Sequence, residues 1–198
     1  MENFYIQPGI EKETVNGIRE ISLFTNAFTN RKIFIFGDIE AKTVYSFTAQ
    51  MLYLMEESTN PIDIYINSPG GEVDAGLAIY DIIQSCESPI NMYCVGIAAS
   101  MGALLFASGQ KGRRFILPHS RVMIHEPLIT GGLGGSASTI KSTADSIIQT
   151  RNLINGILSK HTGKNIAEIN KATDHDNYMS ATKAIEFGLC DRIVEKLN

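Results

Sequence analysis

One serine in this chain lies between small residues directly after a strongly apolar run. Residues 90–95 are mostly apolar, and they are followed by Gly96-Ile-Ala-Ala, then Ser100, then Met101-Gly102. The pattern predicts a buried strand that turns into a helix and leaves the Ser100 hydroxyl at the turn. Amides at a helix N-terminus can stabilise a developing negative charge. Ser100 is therefore either a nucleophile or an N-cap, which is the commoner role of a single serine.

Two other segments place residues with catalytic potential at the ends of predicted strands. The stretch Ile64-Tyr-Ile-Asn-Ser-Pro-Gly-Gly71 ends in two glycines, whose amides can face a cavity because no Cβ stands in the way. The stretch Arg121-Val-Met-Ile-His125 puts an imidazole at the end of a short strand. Singly, these features indicate a turn and a buried histidine. Together with Ser100 they supply the amide donors, the base and the nucleophile that acyl transfer by serine needs.

Composition and charge narrow the class of protein. The net charge of −4, without a long basic run, argues against nucleic acid or an anionic membrane as a partner. No apolar stretch reaches the roughly 18 residues that a membrane-spanning helix needs. The N-terminus lacks the basic and apolar regions of a signal peptide, and the three cysteines have no metal-ligand spacing. We therefore expect a cytoplasmic protein with reduced thiols and no metal site.

The order of predicted elements indicates an α/β fold. The chain has 198 residues, of which 44% are hydrophobic, so it can bury one sizeable core. Strand-like and helix-like segments alternate from residue 32 onward, which is typical of parallel βαβ units. The predicted strands cover residues 32–37, 62–66, 90–95, 114–117, 121–124 and 192–195. The predicted helices cover residues 41–57, 74–85, the segment after Ser100, 137–161, 167–172 and 181–187.

Four motifs in order resemble one known family. NSPGG is followed by AGLAIYD, then by GIAASMGA, and then by LPHSRVMIHEP. From about residue 32 to the C-terminus the chain resembles the proteolytic subunits of Clp proteases, serine peptidase family S14. The resemblance implies the α/β fold shared by ClpP and crotonases, a spiral of ββα units with a protruding long handle helix. It also implies an N-terminal axial or docking segment over residues 1–30, one peptidase domain over 31–198, and a handle at about 128–162.

The resemblance also implies roles for individual residues. Ser100 matches the family's nucleophile, and His125 matches the general base that later donates a proton to the leaving amine. Gly71 and Met101 match the residues whose amides form the oxyanion hole.

The acidic partner of the histidine is less narrowly defined. The family has an aspartate before an aromatic-apolar-Ser-Ala stretch, which reads here Asp174-His175-Asp176-Asn177-Tyr178-Met-Ser-Ala181. The alignment selects Asp176, and Asp174 stays open as the alternative. A carboxylate at either position would orient His125 and stabilise its imidazolium form.

The handle segment predicts an assembly. A glycine-rich stretch over 129–136 precedes a helix of about 25 residues, which at 1.5 Å per residue is roughly 38 Å long. Its apolar positions Ile140, Ala144, Ile147, Ile154 and Leu158 have heptad-like spacing, which Arg151 interrupts. In the Clp family this region interlocks two heptameric rings. The resemblance thus implies a homo-oligomeric barrel that receives unfolded proteins from a hexameric ATP-driven unfoldase of the Clp type. The 198 residues contain no GxxxxGK[ST] motif, so we expect no cofactor here and an ATPase on a separate chain.

The chain departs from the family at three points, and these keep alternatives open. Its first 30 residues are unusual. Its handle loop is richer in glycine, with Glu126 after His125 where glutamine is common, and His175 stands where many members have an arginine. One alternative is a regulatory or structural ring subunit whose catalytic residues align only when a partner binds. Another is a crotonase-like acyl-CoA enzyme, which would leave the pairing of Ser100 with His125 unexplained. Met101, Leu104 and Leu105 predict an apolar pocket for the substrate residue before the scissile bond.

Overall fold

The computed structural model describes residues 9–15, 17–129, 132 and 134–197. The strands found there are β1 (Gly9–Thr14), β2 (Gly17–Ser22), β3 (Lys32–Phe36), β4 (Ile62–Ser68), β5 (Ile90–Ala99), β6 (Arg114–Ile116), β7 (Arg121–Ile124), β8 (Asn177–Ser180) and β9 (Arg192–Ile193). The helices are α1 (Leu23–Thr29), α2 (Ala41–Glu57), α3 (Val73–Ser85), α4 (Met101–Ala107), α5 (Ala137–Thr162), α6 (Ile166–Thr173) and α7 (Ala181–Phe187). This mixed α/β order confirms the fold class predicted from the sequence.

A seven-stranded sheet organises the molecule. Its main path runs β3-β4-β5-β6-β9, and β7 pairs with both β5 and β8. All of its pairings are parallel except the one between β7 and β8. Parallel strands direct their carboxyl ends to one edge, so the residues that follow β5 and β7 meet there.

Strand β5 is longer than the sequence predicted, because Gly96 does not end it. Gly96 has φ 90°, and its amide donates to Ser120 Oγ at 2.8 Å. The pairing of β4 with β5 shifts register between Ile66 and Ser68. Before this bend β5 pairs with β6, and after it with β7. Glycine accommodates the bend at a positive φ, so the strand resumes and ends directly at the candidate nucleophile.

The core lies between the sheet and its helices. Helix α2 presents Phe47, Met51 and Leu54 to the core at helical spacing, and a reciprocal capping box of Glu40 and Thr43 starts it. All seven residues of α4 are buried. A helix without a polar face must be enclosed on every side, so α4 is held firmly behind the residue that precedes it.

The N-terminal part contains elements that the sequence did not predict. Strands β1 and β2 form an antiparallel pair, and α1 follows them. Ser22 caps α1, since its Oγ accepts a hydrogen bond from the Thr25 amide at 3.0 Å. Residues 1–8 and 16 of the predicted docking segment lie outside the described residues. The division into a docking segment and one peptidase domain stays a prediction.

Helix α5 divides into two parts. Its N-cap is Ser136. Gly163 ends the helix at φ 75°, and the Gly163 amide donates a hydrogen bond to the Ser159 carbonyl. Ile154 and Leu158 are buried in the chain's own core, whereas Ile140 is exposed. The predicted stripe is therefore not one continuous surface for a partner. Residues 130, 131 and 133 of the predicted glycine-rich loop lie outside the described residues.

Among the described residues, no helix is both long and apolar enough to cross a membrane.

Candidate active site

Ser100 stands at a strained turn between β5 and α4. Its backbone has φ 53° and ψ −122°, a combination that residues with a Cβ rarely adopt. The Ser100 amide donates to the Met123 carbonyl of β7 at 2.9 Å, and its carbonyl accepts the amides of Ala103 and Leu104. The Ser100 side chain makes no N-cap hydrogen bond to α4. The hydroxyl is therefore not engaged as a helix cap.

The Ser100 hydroxyl instead contacts an imidazole. His125 follows β7 directly, and its Nε2 lies 2.9 Å from Ser100 Oγ. The parallel pairing of β5 with β7 matches Ala99 with Met123, so the two strands end side by side. The His125 side chain is 15% exposed. This geometry lets the imidazole accept the hydroxyl proton.

The antiparallel pairing of β7 with β8 brings a carboxylate to the other ring nitrogen. Ile124 is paired with Asn177, so the same register continues to His125 and Asp176. Asp176 Oδ1 lies 3.2 Å from His125 Nδ1, although the angle is not that of a well-directed hydrogen bond. The Asp176 side chain is 58% exposed, so the contact is an electrostatic one at the edge of the site.

The alternative acid, Asp174, is engaged elsewhere. Its Oδ1 lies 3.4 Å from Nη2 of Arg151 in α5. Of the two carboxylates that the sequence left open, the structure brings Asp176 to His125 and pairs Asp174 with Arg151.

The two glycines of the Pro-Gly-Gly turn lie against the serine. A Cβ built on Gly70 would come within 2.6 Å of Ser100 Cβ and 3.1 Å of the Met101 nitrogen. Gly71 has φ 155°. Two hydrogen bonds of 2.8 Å hold the turn: the Ile39 amide donates to the Gly70 carbonyl, and the Ile39 carbonyl accepts from the Glu72 amide. Only residues without a Cβ permit this approach. The arrangement brings backbone of the turn and of α4 close to the hydroxyl.

A small apolar pocket opens beside Ser100. Met101 and Leu104 line it, as the sequence predicted, whereas Leu105 is fully buried in the core. The other lining residues are Val73, Ile124, His125, Pro127, Ile154 and Leu158. Ile154 and Leu158 were not predicted as pocket residues, because their spacing of four fits a partner-facing stripe equally well. Their shared helical face was the available signal.

A wider groove of about 510 Å³ continues from this region. It runs between the start of α3, residues 127–129 and the middle of α5, where Thr143, Ile147 and Thr150 face it. An extended peptide backbone could lie along such a groove with one side chain in the apolar pocket.

Other candidate nucleophiles and metal ligands are less suited to chemistry. Cys94 and Cys190 are buried, and burial raises the pKa of each thiol to about 12, which keeps both protonated at neutral pH. Within the described ranges no group of three His, Cys, Asp or Glu side chains is arranged to hold a metal ion.

A hydroxyl, an imidazole and a carboxylate in this order are the arrangement of serine hydrolases. Comparison with known protein families then identifies the family to which this chain belongs. The model of the family described as Clp protease matches residues 15–197, nearly the whole chain. The chain belongs to the Clp protease family. The resemblance identified from the sequence motifs is thereby confirmed.

Membership of the Clp protease family settles the general class of this chain. It is a peptidase of the Clp type and a proteolytic core subunit in the broad sense, and its α/β structure with a parallel sheet is consistent with the Clp protease fold. The match also argues against the acyl-CoA enzyme considered above. The matched range includes Ser100, His125 and Asp176 together with all of α5.

Proposed function

We propose that this chain is a serine endopeptidase that cuts unfolded polypeptides to short peptides inside a barrel-shaped assembly. The observation that carries the proposal is the 2.9 Å contact of Ser100 Oγ with His125 Nε2, backed by Asp176 at 3.2 Å from Nδ1. Neither contact needs a partner chain to complete it. This favours an active peptidase over the alternative of a regulatory subunit whose residues align only on binding.

The proposed reaction follows from these positions. His125 Nε2 takes the proton of Ser100 as Oγ attacks the carbonyl carbon of the scissile peptide bond. Asp176 stabilises the imidazolium that forms. His125 then donates the proton to the leaving amine, the peptide bond breaks, and an acyl ester on Ser100 remains. Water, deprotonated by His125, hydrolyses the ester and restores the serine.

The amides of Gly71 and Met101 are the proposed donors to the oxyanion. Met101 N–H belongs to the first turn of α4, where amides have no acceptor within the helix. The glycine turn is fixed by its two bonds to Ile39, so its amides need not reorganise during the reaction.

The proposed substrate preference is for an apolar residue before the scissile bond. Met101, Leu104, Ile154 and Leu158 supply an apolar lining beside the nucleophile, and among the described residues no Asp, Glu, Lys or Arg side chain lines the same pocket. A charged side chain there would lose its hydration without a partner.

The proposed assembly is two stacked heptameric rings that enclose the active sites. In α5 the buried residues are confined to Ile154, Asn155 and Leu158, so the first four turns contribute no buried residue to the core of the described chain. Ile140, Ile148 and Leu153 are exposed apolar residues of this helix, which suits burial against a second ring. A separate hexameric ATP-driven unfoldase of the Clp type would feed the chamber, and the cytoplasm is the proposed compartment.

The test compares five proteins on a fluorogenic peptide with an apolar residue before the cleaved bond. We expect wild type to cleave it and Ser100→Ala and His125→Ala to lose at least about a thousandfold in kcat, as removal of such groups does elsewhere. Asp176→Asn should lose far more activity than Asp174→Asn, its matched control. A wild type as inactive as Ser100→Ala, with or without a Clp-type unfoldase, would contradict the proposal. Activity that appears only with the unfoldase would favour the regulatory alternative.

A further inference from the structure

Arg151 interrupts the apolar stripe of α5, and the reaction proposed above gives it no role. Its side chain bridges two carboxylates. Nε lies 3.2 Å from Glu126 Oε2, an ion pair without a well-directed hydrogen bond, and Nη2 donates to Asp174 Oδ1 at 3.4 Å. A guanidinium can serve two carboxylates at once because its donors are fixed in one plane.

The two acids belong to the two segments that carry the partners of Ser100. Glu126 follows His125 directly, and Asp174 precedes Asp176 by two residues. The segments also bond to each other, since the Glu126 amide donates to the Thr173 carbonyl at 2.8 Å. Arg151 therefore ties the base-bearing and acid-bearing segments to one helix.

A second residue of α5, Asn155, contacts the end of α6 from the protein core. Asn155 is fully buried one turn after Arg151, and its Nδ2 donates to Thr173 Oγ1 at 3.2 Å and to Asn170 Oδ1 at 2.8 Å. Buried amides whose partners are all protein atoms fix a local geometry strongly. Arg151 thus contacts the end of α6 from the protein surface, and Asn155 contacts it from the core.

We infer that Arg151 is a positioning residue for the peptidase reaction, holding His125 and Asp176 in register through Glu126 and Asp174. The inference rests on the proposed function. Arg151 touches none of the reacting atoms and acts through the two carboxylates. The β7–β8 register places Asp176 at His125, and Arg151 keeps the neighbouring Asp174 on its guanidinium.

Charge explains why loss of Arg151 would disturb the site. Three carboxylates, those of Glu126, Asp174 and Asp176, lie around one imidazole and one guanidinium. Without the guanidinium, Glu126 and Asp174 would lose their counter-charge and could compete with Asp176 for the histidine. Each ion pair is partly exposed, so global stability should change little.

The kinetic test uses Arg151→Gln in the assembled full-length protein, with Lys160→Gln as a control that removes the same charge from the same helix. We expect Arg151→Gln to lower kcat about tenfold with KM within about twofold, a smaller loss than the roughly hundredfold cost of a 1 Å misplacement. Arg151→Lys should fall between Arg151→Gln and wild type. A kcat of Arg151→Gln equal to that of Lys160→Gln would overturn the inference, as would a loss that merely follows disassembly in sedimentation.

Hydrogen exchange separates failure of this inference from failure of the proposed function, because it needs no activity. In Arg151→Gln, peptides covering residues 121–129 and 170–180 should exchange faster, while a peptide covering residues 90–99 should not change. If wild type is inactive but these two peptides respond, the positioning contact stands and the peptidase proposal fails. Unchanged exchange in both peptides overturns the inference whatever the activity of wild type.

Discussion

At the scale of single residues, the conformation of Ser100 links stability to function. A non-glycine residue at φ 53° and ψ −122° costs about 1–3 kcal/mol, which the surrounding fold must supply. The buried helix α4 and the bond of the Ser100 amide to Met123 supply it here. The strain presents the hydroxyl to His125 rather than to the helix amides.

Replacing Ser100 by glycine should therefore leave the protein more stable than replacing it by alanine, although both changes remove the hydroxyl. We expect the free energy of unfolding of Ser100→Gly to exceed that of Ser100→Ala by about 1 kcal/mol, because glycine tolerates a positive φ. Chemical denaturation of the two variants side by side measures this difference. Equal stability of the two, or a more stable alanine variant, would show that the turn is not strained.

A second residue-scale prediction concerns His161 at the end of α5. Burial, followed by the charges of Lys160 and Arg114, lowers the pKa of His161 to about 4, and its Nε2 lies 3.1 Å from the Tyr80 hydroxyl. In the unfolded chain His161 binds a proton near pH 6.5, whereas in the folded chain it does so only at about pH 4. The free energy of unfolding must therefore fall as the pH drops through that window. The free energy of unfolding should decline more between pH 7 and pH 5 in wild type than in His161→Gln. Parallel declines in the two proteins would count against a neutral folded-state histidine.

At the scale of elements, Arg114 joins four parts of the chain. This side chain of β6 makes a bidentate pair with Asp191, at 2.6 Å and 3.0 Å, just before β9. Its Nη1 also donates to the carbonyls of Ala107, His161 and Gly188, which lie at the ends of α4, α5 and α7. Burial raises the pKa of the Asp191 carboxyl. The hydrogen bond and the charge of the Arg114 guanidinium, with hydrogen bonds from the backbone amides of Arg114 and Gly112, outweigh burial and hold that pKa below its usual value.

Breaking this pair should cost far more than breaking a surface pair. We expect Asp191→Asn to lower the free energy of unfolding by about 3 kcal/mol, because it leaves the guanidinium, only 3% exposed, without its counter-ion. Glu57→Gln is the matched control, since Glu57 is about half exposed and Arg31 keeps its backbone acceptors. That variant should cost under about 1 kcal/mol. Similar losses in both variants, measured by denaturation, would refute the special role of Arg114.

Elements with strong local patterns were predictable, and those that depend on distant pairing were not. Helices α2 and α7 and strand β7 occur at the predicted residues, because apolar spacing and end signals coincide there. Strand β8 has four residues, and its pairing with β7 joins positions more than 50 residues apart, so nothing local indicates it. Yet this register is what sets Asp176 rather than Asp174 opposite His125.

The end of β5 shows the same limit at one residue. Gly96 is a strand-ending signal, and the predicted strand ends at residue 95 for that reason. The Ser120 hydroxyl accepts the Gly96 amide, and after Gly96 the strand pairs with β7 and again with β4. The nucleophile was predictable from its neighbours, whereas the strand that carries it extends four residues beyond the prediction.

At the scale of the whole molecule, α5 connects the active site to the proposed ring contact. Its last turns line the pocket through Ile154 and Leu158, its middle holds the His125 and Asp176 segments through Arg151, and its first turns have no buried residue. One helix of 26 residues thus has one end that lines the candidate active site and one end that is exposed.

Placing a charge on the exposed part should separate the rings. We expect Ile148→Glu to shift the assembly from double to single rings, because Ile148 is 52% exposed in the isolated chain and would be buried on stacking. Val15→Glu, at a fully exposed apolar residue outside the helix, should leave double rings intact. Native mass spectrometry measures both. A double ring that persists in Ile148→Glu, or a wild type that never stacks, would contradict the proposed assembly.

The central claim is that Ser100 is an activated nucleophile in this chain without help from a partner. Intact mass after treatment with a fluorophosphonate tests it most directly, on wild type, Ser100→Ala and Asp176→Asn. The geometry predicts one phosphonyl adduct per wild-type chain, none on Ser100→Ala, and slow labelling of Asp176→Asn. An unlabelled wild type, or an adduct that persists in Ser100→Ala, would contradict the account.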